Sequence, residues 1–405
     1  MRIAQCSDSF LPIVDGVGRV VHQYATSLVQ AGHECYVITP LQDSGYRGQQ
    51  PFEIVDFLSL KLLSAGHYQS GIAPLDAHYM ERISHLQFDL IHVHDPGLAG
   101  LEGLRLAERM KVPSVGTFHS KYYEDFLRVT RSDVLASLGS RFVAEFYMRC
   151  DEVWTVSEDA AETLESYGFR GHIAIVQNGT EIRTPLSKYE RAARQHYALG
   201  KDPILLYVGQ IDFKKNLKRT LEAAALLQQK GYSFQLIFAG QGQDKERLEQ
   251  QAGELGLDQV IFTGHVTDRE LLDGLYMAAS LFVFPSLYDT AGLVVREAAV
   301  MGTPSVVVEN TAPAEVIIDG VNGLLCQDST ESLAGVIERY LYKMSHLERK
   351  TMRMKARKTV PLPWDKVMKD VEQRYQGLLE RREVENSTGK EGPEPGHEML
   401  FFQRP

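Results

Sequence analysis

The feature that most constrains this chain is a repeated alternation of short apolar runs with longer amphipathic stretches. Ile3–Cys6, Cys35–Thr39, Leu90–Val93, Val112–Thr117, Val153–Val156 and Ile173–Val176 are each too short for a helix and are bounded by turn residues. Such runs read as strands covered on both faces, as a parallel sheet requires. Between them, Val20–Gln30, Ala99–Met110 and Asp159–Tyr167 carry apolar residues at helical spacing. That order predicts βαβ units wound into a parallel sheet.

The pattern then starts again. Ile204–Val208, Phe234–Ala239, Val260–Phe262, Leu281–Phe284 and Ser305–Val308 are strand-like, with helical patterns at Leu217–Gln229, Asp244–Leu255, Asp268–Ala279, Leu293–Met301 and Glu331–Tyr340. The expectation is an α/β protein of two Rossmann-like, doubly wound parallel-sheet domains facing a cleft, and 405 residues suffice for it. The polar stretch Glu181–Pro203 marks the division, giving an N-terminal domain of residues 1–190 and a C-terminal domain of residues 191–364. A last helix within residues 365–382 is expected to cross back onto the first domain. Residues 383–405, rich in Glu, Gly and Pro, are expected to form a mobile tail.

Charge and composition remove several functions. Lys and Arg number 43 against 53 Asp and Glu, a net charge of −10 that repels phosphate backbones, so nucleic acid is not an expected partner. The four cysteines are far apart and never form C-x-x-C, which indicates reduced thiols of a cytoplasmic protein rather than a zinc knuckle or disulfide framework. No run of ~18 apolar residues predicts a membrane span, and the N-terminus opens on a strand rather than a signal peptide. Neither half carries G-x-G-x-x-G, which argues against a dinucleotide oxidoreductase.

Chemistry concentrates at the ends of the predicted strands. After Ile3–Cys6, a loop with Pro12, Asp15, Gly16 and Gly18 leads into a helix near Arg19. Its backbone N–H groups can face an anion, although an ordinary strand-to-helix turn explains the same glycines. The second half opens likewise with Gly209, Gln210 and Lys214-Lys215-Asn216, where the Lys215 ammonium can meet a phosphate or simply be solvated. Asp289 follows Leu281–Phe284, and Glu297 lies eight residues on, in the first turns of a helix, with Ala291, Gly292 and Leu293 between them. Carboxylates there can accept hydrogen bonds from sugar or ribose hydroxyls, and Glu297 can alternatively serve its own helix dipole.

His92 and His94 alternate along a strand before Asp95, and His119 ends another. No third ligand is assured, so neither a metal nor any other cofactor is expected, and His119 reads as a hydrogen-bonding group in the cleft. Arg339–Lys358 holds eight basic residues against Glu348 alone. A membrane surface is a conceivable partner for that stretch, but it lacks a wide apolar face with aromatics, which favours a solvated helix.

Together these residues resemble the family-four retaining glycosyltransferases of the GT-B fold, the glycosyl transferases group 1. The carriers are the Asp15-Gly16 loop, Ala31-Gly32-His33, His92–Asp95, Thr117–His119, Asn178-Gly179-Thr180, Val208–Asn216, Ala239–Gly242, Phe262–Val266 and Pro285–Pro304. The resemblance implies that Gly16 approaches the donor phosphate and that His119 lies near the donor sugar. It gives Lys215 the neutralising of the diphosphate and the backbone of Ala291, Gly292 and Leu293 the meeting of phosphate and sugar. Asp289 and Glu297 become the two acids of an E-x7-E signature, addressing sugar and ribose hydroxyls. Gln210, beside Gly209 in the donor loop, stands where the family usually has Arg, and Asp289 where it usually has Glu.

The implied function is transfer of a sugar from a nucleotide-sugar donor, a UDP-sugar, to an acceptor hydroxyl with retention, by front-face attack and without a metal. The nucleotide-sugar is a substrate, not a cofactor. The alternatives are a nucleotide-sugar 2-epimerase on a similar scaffold and a non-catalytic glycosyltransferase-like binding subunit. His119–Val129, rich in aromatics, is the candidate acceptor surface, with helix packing as the competing reading.

Overall fold

The computed structural model describes residues 1–11, 16–41, 49–61 and 69–388. These form two compact units: Met1–Asn178 with the chain from Asp365, and Gly179–Trp364.

In the first unit the strands are β1 (Arg2–Cys6), β2 (Glu34–Leu41), β3 (Glu53–Leu58), β4 (Leu90–Val93), β5 (Ser114–Phe118), β6 (Glu152–Thr155) and β7 (Ile173–Ile175). They make one sheet in the order β3-β2-β1-β4-β5-β6-β7, parallel throughout. Its helices are α1 (Gly16–Gln30), α2 (Ala77–Ser84), α3 (Leu98–Met110), α4 (Tyr123–Thr130), α5 (Asp133–Tyr147) and α6 (Glu158–Ser166).

The second unit repeats the plan. It opens with α7 (Ser187–His196), and its strands β8 (Ile204–Val208), β9 (Gln235–Ala239), β10 (Val260–Gly264), β11 (Leu281–Phe284), β12 (Ser305–Val308) and β13 (Leu324–Cys326) follow. They run in the order β10-β9-β8-β11-β12-β13, again all parallel. The helices are α8 (Leu217–Gln229), α9 (Lys245–Glu254), α10 (Arg269–Ala278), α11 (Leu293–Val300), α12 (Thr330–Glu338) and α13 (His346–Thr359). Leu205, Leu206, Tyr207, Leu236, Ile237, Phe238, Phe282 and Val283 are fully buried, which is why these strands read as continuous apolar runs.

The last helix, α14 (Trp364–Thr388), belongs from Asp365 to the first unit. Its Tyr375 is fully buried there, stacked on Trp154 with centroids 5.6 Å apart, and Arg381 pairs with Glu152 at 2.7 Å. The segments entering and leaving the second unit run side by side: the Thr180 amide donates to the Leu362 carbonyl at 2.6 Å.

Several boundaries differ from expectation. The edge strand β3 went unpredicted because only Val55 and Phe57 of it are buried. α1 begins at Gly16, ahead of Arg19. α14 continues through Thr388, six residues into the segment expected to be a tail, and Arg382 and Glu385 pair across one turn at 3.7 Å. Residues 389–405, and Pro12 to Asp15 of the first loop, lie outside the described residues. No helix among the described residues is long and apolar enough to cross a membrane.

Candidate active site

The order of each sheet reverses direction beside its first strand, between β1 and β4 and between β8 and β11. Ligands bind open α/β sheets at the carboxyl ends flanking such a reversal. In the second unit those ends carry most of the residues singled out by sequence.

Beyond β8 the chain turns at Gly209, whose amide donates to the Ala239 carbonyl at 3.0 Å. The neighbouring turn beyond β9 has Gly240 at φ +156°, where a Cβ would lie 1.8 Å from the Gly209 carbonyl oxygen. Only glycine lets the two loops approach so closely. Gln210 is exposed, and its carbonyl accepts from the Tyr207 hydroxyl at 2.8 Å. Asp212 then caps a short turn, Phe213–Lys215, by accepting from the Lys214 amide at 2.9 Å. Asn216, in a left-handed conformation, ties the turn to β11 through the Pro285 carbonyl at 3.2 Å.

This turn directs Lys215 across the reversal point. Its Nζ lies 2.9 Å from Oδ1 of Asp289, and the Tyr288 ring centroid is 5.7 Å from the same nitrogen. The second oxygen of Asp289, Oδ2, is buried and has no hydrogen-bond partner among the described residues. A buried carboxylate oxygen left so is costly in isolation, and it is placed to accept from a ligand hydroxyl. Gly292, at φ +55°, turns the chain into α11, which starts at Leu293 with no side-chain cap, so its first amides face outward from the helix end. Ala291 precedes that turn.

Glu297 lies in the second turn of α11 and is buried. It is bonded not to Asp289 but to α10: its Oε2 accepts from the Tyr276 hydroxyl at 3.2 Å, and its Oε1 is 3.6 Å from Arg269 Nη2. Sequence reasoning did not name Tyr276 or Arg269. Their helical spacing was legible, but their meeting with α11 is a tertiary contact.

His119 and Gly16 belong to the first unit. Gly16 begins α1, is exposed, and a Cβ on it would meet nothing within 4 Å. His119 follows β5 directly and stacks on His94, which stacks on His92, at centroid separations of 5.2 and 4.1 Å. The Gln5 side-chain oxygen can only accept, so His94 donates from Nε2 at 2.6 Å and its Nδ1 accepts from His119 Nε2 at 3.0 Å. His92 is bonded by Nδ1 to the Tyr375 hydroxyl at 2.5 Å and by Nε2 to Thr117 Oγ1 at 2.7 Å. Burial pushes the His119 imidazole down to about 3 and holds His92 and His94 well below their usual value. All ring nitrogens of His92 and His94 are engaged within the protein. Among the described residues no group of three or more His, Cys, Asp or Glu is arranged to hold a metal ion.

Two acids also meet at the reversal point of the first unit, which sequence reasoning did not foresee. Asp95, after β4, accepts at one oxygen from the Ser7 hydroxyl at 2.7 Å and the Asp8 amide at 2.9 Å. Asp8, after β1, accepts from the Ala99 amide at 3.2 Å, and burial, then the charge of Asp95, raise its carboxyl well above the usual range. The proposed acceptor aromatics are engaged in packing: Tyr122 stacks on Phe126, Tyr123 donates to Asp133 at 2.9 Å, and the Tyr122 and Tyr123 amides both donate to the Tyr167 hydroxyl. In the basic stretch, Arg349 and Arg353 turn inward to donate to the carbonyls of Met344 and Ala279 at 2.6 and 2.9 Å, so those two are not free cations.

Residues 14–183 match the family described as Glycosyltransferase Family 4, and residues 189–359 the one described as Glycosyl transferases group 1. The chain is 26% identical over 347 residues to the alpha-monoglucosyldiacylglycerol synthase of Streptococcus pneumoniae, spanning 84% of this chain and 78% of that protein. Among solved structures, the sucrose-phosphate synthase of Thermosynechococcus elongatus superimposes with a TM-score of 0.77 at 22% identity, over 94% of this chain and 99% of the other. HepE of Anabaena in complex with UDP and glucose gives 0.76 at 17% identity, over 93% and 100%. At these identities the superpositions establish the fold, the two parallel-sheet domains of GT-B.

Proposed function

The chain belongs to the glycosyl transferases group 1, and from that premise we propose that it moves a sugar from a UDP-sugar to an acceptor hydroxyl with retention of anomeric configuration. The observation that carries this reading is the Lys215–Asp289 pair with its unfilled carboxylate oxygen, set beside the glycine turn of β8 and the uncapped start of α11. The solved complex of HepE with UDP and glucose supports the choice of nucleotide.

The difficult step is departure of a nucleoside diphosphate that gathers negative charge. Lys215 supplies a fixed cation, and the backbone amides of Ala291, Gly292 and Leu293 with the Gly209 turn supply oriented dipoles, which stabilise such charge by several kcal/mol when preorganised, on the order of ~3 for one donor. Gln210 in the same turn can donate a hydrogen bond but adds no charge. Asp289 Oδ2 accepts from a hydroxyl of the donor sugar, and Glu297 accepts from the ribose. His119, in the first unit, is held neutral by burial and is therefore assigned a hydrogen-bonding and not a cationic role. No carboxylate nucleophile is assigned. The departing phosphate oxygen takes the acceptor's proton as the acceptor attacks the same face, and no metal is assigned a role.

The test is to incubate the purified protein with UDP-, GDP- and ADP-sugars, with soluble sugar acceptors and with diacylglycerol glycolipids, in the presence of EDTA. Mass spectrometry reads the products and NMR the anomeric configuration. A retained glycoside formed from a UDP-sugar is expected. Conversion of donor alone into its 2-epimer, an inverted product, or recovery of activity only with added Mn²⁺ or Mg²⁺ overturns the reading.

A further inference from the structure

The short turn that carries Lys215 ends on Asn216, where backbone and side chain meet separate demands. The backbone, at φ 60° and ψ 31°, is left-handed, a conformation that glycine adopts most readily and asparagine more readily than most other residues. Its amide closes the turn by donating to the Phe213 carbonyl at 2.9 Å, and α8 starts at the next residue, Leu217. An asparagine placed directly before a helix ordinarily caps it, its side-chain oxygen accepting from the first amides. Asn216 makes no such cap. Its Nδ2 donates instead to the Pro285 carbonyl at 3.2 Å and to Asp328 Oδ1 at 2.9 Å, which uses both of the donors that a carboxamide has.

The two acceptors lie at different strand ends. Pro285 follows β11 directly, on the way to Asp289, and Asp328 lies just beyond β13. Asp328 is itself held, because the same Oδ1 accepts from Arg219 Nε at 3.2 Å while Arg219 Nη1 donates to Thr330 Oγ1, at the start of α12, at 3.1 Å. One side-chain amide therefore ties the turn leaving β8 to the segments leaving β11 and β13. The Lys215–Asp289 pair, at 2.9 Å, spans the first of those gaps. A lysine ammonium rides on a flexible stem, so where it rests depends on how firmly its backbone is held, and a cation held in advance loses less freedom when an anion binds. Glycine at position 216 would satisfy the backbone but not the tie.

We propose that Asn216, anchored on Pro285 and Asp328, is a positioning residue that holds the Lys215 ammonium in place for the donor's diphosphate. This rests on the diphosphate role given to Lys215 above and extends it to a side chain assigned no contact with substrate. Asn216→Gly isolates the effect: it keeps the left-handed backbone and deletes the tie. A residue that acts through Lys215 should matter only while Lys215 is present.

The experiment is a double-mutant cycle read by UDP affinity, measured by calorimetry and, for weak variants, by ligand-observed NMR. It uses wild type, Lys215→Ala, Asn216→Gly and the double variant. Asn216→Gly should weaken UDP binding at least ~fivefold in the wild-type background and less than about twofold in the Lys215→Ala background, where no ammonium is left to position. A merely structural residue would cost the same in both. Failure of wild type to bind UDP, or wild-type affinity in Lys215→Ala, defeats the diphosphate role given to Lys215, and this proposal with it. Where Lys215→Ala does weaken binding, an equal loss from Asn216→Gly in both backgrounds, or a loss in neither, overturns this proposal alone, even if Asn216→Gly melts at lower temperature.

Discussion

The ammonium of Lys215 and the carboxylate of Asp289, 74 residues apart in sequence, meet at 2.9 Å across the point where the second sheet reverses its strand order. The pair joins the turn leaving β8 to the loop leaving β11. Its two members are assigned opposite tasks, one toward the diphosphate and one toward the sugar, so removing them should have separable consequences.

Lys215→Ala should lower kcat/KM by at least ~100-fold and weaken UDP binding, because it removes a charge-assisted contact to the leaving group. Asp289→Asn should lower turnover by a similar factor yet bind UDP at least as tightly, since Lys215 is then no longer partly neutralised. Calorimetry with UDP alone separates the two. Parallel loss of UDP affinity in both variants would contradict the division of roles.

Gln210→Arg should tighten UDP binding, because it places a cation in the turn that already holds Lys215, and slower product release should accompany the tighter binding. Unchanged UDP affinity would mean that position 210 does not face the diphosphate.

The stacked histidines make the first unit acid-sensitive. Burial holds His92 and His94 well below their usual value and His119 at about 3, whereas in the unfolded chain each takes up a proton near pH 6.5. The unfolded state therefore binds more protons below that pH, and stability present above it is lost as the pH falls, by up to ~1.4 kcal/mol per pH unit for each histidine. Urea unfolding at pH 7 and pH 5 measures the slope, and His92→Gln should make it shallower. Equal slopes for wild type and variant would count against this.

Asp8 works in the opposite sense. Its folded-state carboxyl is raised above the usual 3.8 by burial and then by Asp95, so its contribution is complete below that pH and is lost as the pH rises through the folded value. Asp8→Asn keeps the shape and the acceptor for the Ala99 amide while removing the charge. The variant should be more stable than wild type at pH 7, by about 1 kcal/mol or more, with the advantage shrinking toward pH 4. A variant less stable than wild type at pH 7 would show that the charge is needed there.

Gly240→Ala should destabilise the protein by several kcal/mol, roughly 3, since the new Cβ would fall 1.8 Å from the Gly209 carbonyl in a backbone conformation unsuited to side chains. Gly231→Ala, also at positive φ but with nothing within 4 Å, should cost only about 1 kcal/mol. Thermal melts of the two variants provide the comparison.

The sequence by itself determined the twofold α/β plan, because buried parallel strands must be continuous apolar runs and the helices covering them must be amphipathic. Ile204–Val208, Leu281–Phe284 and Ser305–Val308 coincide with β8, β11 and β12 for that reason. It also placed Lys215, Asp289 and Glu297 at strand ends or helix starts, where local pattern suffices. What it did not hold was any contact between elements. The edge strand β3 is interrupted by Asp56 and buries only alternate residues, Val55 and Phe57, instead of running apolar throughout, and the helix starting at Gly16 has no first-turn acid to mark it. The convergence of Asp8 on Asp95, the stack from His92 to His119, and the approach of Arg269 to Glu297 join residues up to 87 positions apart. Sequence spacing carries no information about such pairs. Only the strand order that closes each sheet brings their side chains within a few ångströms, and burial then sets their protonation and their partners.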